Sequence, residues 1–215
     1  MQLMERFPYI VVEGPIGSGK TTLARKLADR YNAQLLVEQA EANPFLTRFY
    51  QEPGRYALQT QLFFLFQRAN QLRELAQRDL FGAATVADFF LEKDPLFARI
   101  TLDNQEFQLY RQIFQHLQVQ APAPDLVIYL QTPLDALQER VQQRNISYEQ
   151  NISRDYLHKL SDVYSEFFHQ YDAAPLLIVN NDKLNIATEE ASLTLLIERI
   201  MQMRGRREFF NPNLQ

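Results

Sequence analysis

No cysteine occurs among the 215 residues, so disulfides and thiolate metal sites are excluded and a reducing compartment is tolerated. No apolar run approaches the roughly 18 residues that a membrane-spanning helix needs. A basic excess is also missing: 22 Lys and Arg stand against 26 Asp and Glu, a net charge of −4. That balance argues against a general nucleic-acid or membrane-surface binder, whereas a small anionic ligand needs only a local group of cations. The first residues, MQLMERFPYIVVEG, carry a glutamate and a proline where a secretory signal has a basic end and an apolar stretch. His116, His158 and His169 lack metal-ligand spacing, and there is no internal repeat or low-complexity segment. The expectation is a cytoplasmic protein that engages neither nucleic acid nor membrane. A chain of this length with 46% hydrophobic residues buries one substantial core, here a single domain over 1–204 with a tail over 205–215.

What is present is concentrated first in YIVVEGPIGSGKTTLARK, from Tyr9 to Lys26: an apolar run, a glycine loop and an amphipathic segment. Gly14, Gly19, Lys20 and Thr21 fit G-x-x-x-x-G-K-[ST] between an expected strand and an expected helix, which is a phosphate-binding loop. Chance alone would produce the four fixed positions in about one unrelated chain of this length in a hundred. In such a loop the backbone from Gly14 through Pro15, Ile16, Gly17, Ser18 and Gly19 to Thr22 wraps the phosphates and turns the N–H groups that it has, Pro15 having none, toward their oxygens, and the helix start adds its dipole. Lys20 adds a cation for the β- and γ-phosphates, and Thr21 a hydroxyl for Mg²⁺.

Further along, short apolar strands alternate with helical segments. Strands are expected at Tyr9 to Val12, Leu35 to Val37, Ala83 to Ala87, Leu126 to Leu130 and Leu176 to Val179. Long helical periodicity covers Ala57 to Arg78, Asn104 to Leu117 and Thr188 to Arg204; Thr132 caps a helix opening at Pro133, and Ser153 caps another. The pattern predicts an α/β fold, a doubly wound five-stranded parallel sheet flanked by helices. Its ligands lie beyond the carboxyl ends of the strands.

Candidate chemistry sits at those ends. Glu38 follows the second strand, where a carboxylate can take a proton from an attacking hydroxyl, or simply cap a helix. Asp88 follows AATVA, near where such folds hold Mg²⁺, or merely opens a loop. Gln61 and Arg68 are seven apart and share a helix face among phenylalanines; they either read a ligand, with Arg68 fixed by a carboxylate such as Asp94, or reach water. Arg140 and Arg144 end a helix before the irregular NISYEQNI, a candidate lid over about 140–153 or an ordinary helix terminus paired with Glu139 or Glu149.

Taken together these stretches resemble the deoxyribonucleoside kinase family, in its bacterial deoxyadenosine and deoxyguanosine kinase form, over Phe7 to about Arg204. GPIGSGKT, VEQAEANPFLTRFYQEPGRYALQTQLFFLFQR and RVQQRNISYEQNISRDYLHKL carry the resemblance. It implies transfer of the ATP γ-phosphoryl group to a deoxynucleoside 5′-hydroxyl, with Glu38 as general base, Tyr50 on the sugar 3′-hydroxyl and Glu149 also on the sugar. It implies Gln61 and Arg68 at the base, Arg140 and Arg144 as lid arginines, and VNNDKLNIA, with Asp182, against the adenine of ATP. Mg²⁺ as cofactor, with Thr21 and Asp88 at the metal, and a homodimer through long helices such as Ala57 to Arg78 are further implications. The chain departs from the family in ADFFLEKDPLFA, where no arginine follows Asp88. Two registers put either Asp94 at the base-reading aspartate or Phe97 at the base-stacking position, and Lys93 is the candidate for the missing positive charge. Ile146 stands where a further lid arginine is frequent, with Arg154 as a substitute. A thymidylate-type monophosphate kinase and a non-catalytic ATP-binding protein are the competing readings.

Overall fold

Every residue of β1 (Tyr9–Glu13) is buried, because successive strand side chains point to opposite faces and helices cover both. Ile10 and Val12 pack with Leu23 and Leu27 of α2 (Lys20–Tyr31) and with Leu193 and Leu196 of α9 (Glu190–Gln202). Tyr9 and Val11 face the other way, toward Leu72 of α4 (Pro53–Arg78) and Leu160, Tyr164 and Phe168 of α8 (Arg154–Gln170). One alternating strand thus joins two apolar layers. The computed structural model describes residues 2–78, 82–117, 122–182, 184 and 186–212.

The remaining strands are β2 (Gln34–Leu36), β3 (Thr85–Ala87), β4 (Leu126–Gln131), β5 (Leu176–Asn180) and β6 (Arg207–Phe210). All pair in parallel, in the order β2-β3-β1-β4-β5-β6. The strands stay parallel, but the side on which the chain adds them reverses about β1, β2 and β3 lying on one side and β4 to β6 on the other, and that switch point opens the crevice that receives ligands in such sheets. The other helices are α1 (Gln2–Arg6), α3 (Leu46–Gln51), α5 (Asp94–Thr101), α6 (Asn104–Leu117) and α7 (Leu134–Arg144). Single 3₁₀ turns lie at Ala40–Ala42, Leu91–Lys93 and Glu149–Asn151.

The sheet has a sixth strand where the sequence pattern indicated only a tail over 205–215. β6 pairs with β5 from Leu176↔Arg207 to Val179↔Phe210, and Phe210 enters the same apolar layer as α9. Glu208 ties the approach to β6 down, accepting from Arg199 at 2.6 Å and from the backbone N–H groups of Arg204 and Gly205 at 2.7 and 2.6 Å. Four residues with one inward apolar group are too short a pattern to separate from a polar tail. Residues 213–215 of that tail lie outside the described residues. Phe210 is 2% exposed, and Phe210→Ala should cost about 3 kcal/mol, seen as a lower denaturant midpoint at unchanged slope.

Two local readings divide. Ser153 caps α8, its hydroxyl accepting the Tyr156 N–H at 3.1 Å. Thr132 does not cap α7: Pro133 occupies that position, and Thr132 Oγ1 instead accepts from Asn181 Nδ2 at 3.1 Å.

Candidate active site

The phosphate loop turns on glycines that the backbone requires. Gly17 and Gly19 both have φ of 87°, the left-handed region, and a Cβ on Gly17 would lie 2.7 Å from the Leu137 carbonyl oxygen of α7. Gly19 precedes α2 without a side-chain cap, and no acidic residue occupies the first turn. The first N–H groups of α2 are therefore left for an external acceptor, and the buried Ser18 hydroxyl has no hydrogen-bond partner among the described residues either.

Asp88, immediately after β3, organises what stands opposite. It accepts from the Thr21 hydroxyl through Oδ2 and from the Glu38 backbone N–H at 2.7 Å through Oδ1. Loop, metal-site candidates and Glu38 are thereby joined. Among the described residues no group of three or more His, Cys, Asp or Glu could hold a metal. The protein offers a hydroxyl and one carboxylate, a hard and sparse donor set that suits Mg²⁺ arriving with phosphate oxygens and water.

A cavity of about 850 Å³ opens here, and its wall includes Gly17 through Thr22, Glu38, Tyr50, Gln61, Arg68, Asp88, Lys93, Phe97, Arg140, Arg144 and Glu149. Gln61, Phe64 and Arg68 fall at successive turns of one face of α4 and all reach it. Gln61 is buried with no protein hydrogen-bond partner among the described residues, which leaves its amide for a ligand.

Arg68 is the centre of the charge pattern. One of its nitrogens donates to Glu38 and another to Asp94, which also accepts from the Tyr110 hydroxyl of α6. Both registers considered for 88–97 are therefore occupied at once: Asp94 is buried against Arg68, and Phe97, one turn of α5 further on, forms cavity wall. Burial pushes the Glu38 carboxyl up, but Arg68, Lys93 and Lys20 together pull it further down, below its ordinary value. Burial also lowers Lys20, as does neighbouring Lys93, against the pull of Glu13, Glu38 and Asp88.

The segment around α7 closes one side. Arg140 donates to the carbonyls of Ser18 at 3.4 Å and Asn181 at 3.2 Å, so it lies against the phosphate loop. Arg144 pairs with Glu149 at 3.3 Å while still lining the cavity, so terminal pairing and cavity access coexist. Glu149 Oε2 is buried without a hydrogen-bond partner among the described residues, and burial raises this carboxyl against the pull of Arg144 and Lys20. The rings of Tyr50 and Tyr148 lie parallel beside it, with centroids 6.3 Å apart.

Two expected residues lie elsewhere. Asp182 is exposed and outside the cavity wall; its neighbour Asn181 takes the inward place, holding the Ser18 carbonyl at 2.7 Å. Past the end of β5 the two adjacent loop residues turn to opposite sides, and Asn181 is the one that faces the phosphate loop. In the same expected loop, Lys183 and Asn185 lie outside the described residues. Arg154 is bound to Asp135 and Gln138 at 2.6 Å each, and adds no cation to the cavity wall.

Sequence reasoning missed Glu13. It is fully buried at the end of β1, with Lys93 Nζ 2.9 Å from Oε2 and the Tyr164 hydroxyl at 3.1 Å. A carboxylate inside an otherwise apolar strand needs a partner, and that was the available signal.

Residues 10–203 match the family model described as deoxynucleoside kinase. The deoxyguanosine kinase of Bacillus subtilis is 29% identical over 205 residues, 93% of this chain and 99% of that protein. The deoxyadenosine kinase of Lactobacillus acidophilus is 30% identical over 193 residues, 83% of this chain and 88% of that one. The solved structure of deoxyadenosine kinase from M. mycoides with dCMP and dCDP bound superposes with a TM-score of 0.79 at 23% identity, covering 90% of this chain and 99% of that one. That likeness supports the fold, while the two sequence relatives and the family model extend it to descent. With the phosphate loop, the six-stranded order and nearly the whole length accounted for, the chain belongs to the deoxynucleoside kinase family.

Proposed function

We propose that this chain transfers the γ-phosphoryl group of ATP to the 5′-hydroxyl of a purine deoxynucleoside, deoxyadenosine or deoxyguanosine. The observation that carries the reading is that Lys20 and Glu38 open onto one cavity large enough for both substrates. The acceptor oxygen bonds to the γ-phosphorus as the bond to the β–γ bridging oxygen breaks, and Glu38 takes the hydroxyl proton. The free loop amides between Ile16 and Thr22 and the Lys20 ammonium hold the phosphates, the Gly14 N–H being taken by Glu13, while Arg140 and Arg144 meet the charge that spreads over the transferring group. Thr21, oriented by Asp88, would hold Mg²⁺, which neutralises phosphate charge when bound.

At the other substrate, Gln61 and the Arg68–Asp94 pair address the edge of the base and Phe97 its face, while Tyr50 and Glu149 address the sugar. The purine assignment draws on the names of the relatives. An acceptor already phosphorylated would need further cations for its own phosphate, which favours a nucleoside. A homodimer through α4 and α6 fits the exposure of Phe66 and Leu109, at 45% and 46%. No described helix is long and apolar enough to cross a membrane, in keeping with action in the cytoplasm.

Steady-state rates with Mg²⁺–ATP on the four natural deoxynucleosides and their monophosphates test the proposal. Highest kcat/KM on deoxyadenosine or deoxyguanosine is expected; a tenfold preference for deoxycytidine, or for any monophosphate, overturns it. Gln61→Leu should raise the nucleoside KM by roughly 10–100-fold while leaving ATP affinity in place, because a hydrogen-bonded base edge loses its partner.

A further inference from the structure

Lys93 is a buried cation whose hydrogen bonds are not exhausted by the protein. Its ammonium has three N–H donors. One goes to Glu13 Oε2 at 2.9 Å and one to the Tyr164 hydroxyl at 2.9 Å; Glu13 Oε1 lies 2.8 Å away but is not aligned for a hydrogen bond. The third has no protein acceptor among the described residues, and Lys93 forms part of the cavity wall. The rings of Phe97 and Tyr164 stand over the ammonium, with centroids 5.3 and 5.5 Å away.

Its position is between the two halves of the reaction. Lys93 acts electrostatically on Lys20 at the phosphate loop and on Glu38 at the acceptor side. The Leu91–Lys93 turn also fixes it from both directions, since the next residue, Asp94, is held by Arg68 and Tyr110. Glu13 accepts from the Gly14 N–H at 3.0 Å, so the same carboxylate anchors the lysine and the first glycine of the phosphate loop. Such an arrangement presents a charge without reorganisation at the moment of reaction.

We propose that Lys93 is a catalytic residue, its free N–H donating to a peripheral oxygen of the phosphoryl group in flight, and that Glu13 and Tyr164 are the positioning residues that aim it. The inference rests on the kinase reading above. Lys93 keeps its three protons throughout; the hydroxyl proton goes to Glu38 and the bond pair to the departing diphosphate. The competing role is structural, Lys93 serving only to neutralise Glu13.

The test compares Lys93→Met, Lys93→Arg and the double variant Glu13→Gln/Lys93→Met for kcat, nucleoside KM, affinity for ATP and thermal melting. Lys93→Met alone leaves Glu13 buried and uncompensated, and the double variant removes that penalty and should melt near the wild type. Both Met variants are expected to lose about 10²-fold in kcat, with ATP affinity and nucleoside KM within about threefold of wild type. Lys93→Arg should retain part of the rate. Recovery of wild-type kcat in the double variant, or loss of ATP affinity in step with kcat, would overturn the proposal. A wild-type protein that phosphorylates no deoxynucleoside would instead overturn the kinase reading, and this inference with it.

Discussion

Glu38→Gln is expected to lower kcat by roughly 10³-fold while leaving ATP affinity within about threefold of wild type. The amide keeps an oxygen that accepts from Arg68, so the pocket retains its main contact, but it cannot take the proton of the attacking hydroxyl. Glu38 lies within the cavity wall at a 19% exposed side chain, partly wet and reachable by substrate. Steady-state kinetics and titration with a fluorescent ATP analogue separate the two quantities. Retention of turnover would remove Glu38 from the chemistry. The wild-type pH profile offers a second reading. The carboxyl is held below its ordinary value of 4.5, so kcat/KM should show no acid limb from Glu38 between pH 7 and pH 5.

The largest stability effect is expected at Arg68. Its guanidinium is 3% exposed and joins Glu38 to Asp94, which is itself fully buried. Arg68→Met leaves two carboxylates facing each other without their cation. Breaking a buried charge network in this way costs about 3–5 kcal/mol, which for a chain of this size lowers Tm by roughly 6–20 °C. The sign with pH follows from Glu38. In the wild type its folded pKa is depressed, so its contribution to stability is present above the unfolded value and is lost as pH falls through the folded value. In the variant the largest downward pull is gone and burial raises the folded pKa, so the same group opposes folding as pH rises. The Tm gap between variant and wild type should therefore narrow from pH 7.5 to pH 5. A gap that stays constant would show that Arg68 stabilises through its aliphatic packing, including its place over the Phe64 ring, rather than through charge.

The two experiments address neighbouring ends of one network, and Arg68→Met should also impair catalysis because it unseats Glu38. Its effect on kcat is therefore not independent of the Glu38 result, and the two should fall short of additivity. Phe210→Ala, outside the cavity wall and in the apolar layer shared with α9, should change stability with no change in KM.

The phosphate loop was legible from Gly14 to Thr22, since its turn geometry and helix start are written in consecutive residues, though the role of Glu13 just before it was not. The parallel sheet was legible as well, because strands buried on both faces leave continuous apolar runs such as YIVV and LVIYL. So were Glu38, Asp88 and the Gln61, Arg68 face of α4, which follow from strand ends and helical period. Asp182 misled because a loop leaving a strand gives no local sign of which residue turns inward, and Asn181 proved to be that residue.

What only the tertiary structure decided are the partners that lie far apart in the chain. Glu13 meets Lys93 across 80 positions, Arg68 reaches Glu38 across 30, and Tyr164 closes on Glu13 across 151, whereas the Arg68–Asp94 pair was already offered by the sequence. The same holds for β6, which counts as a strand only because β5 offers an open edge to it. Local period and turn chemistry act over a few residues and are therefore readable in order. Which buried charge finds which counter-charge depends on how the layers stack, and no short stretch of sequence carries that.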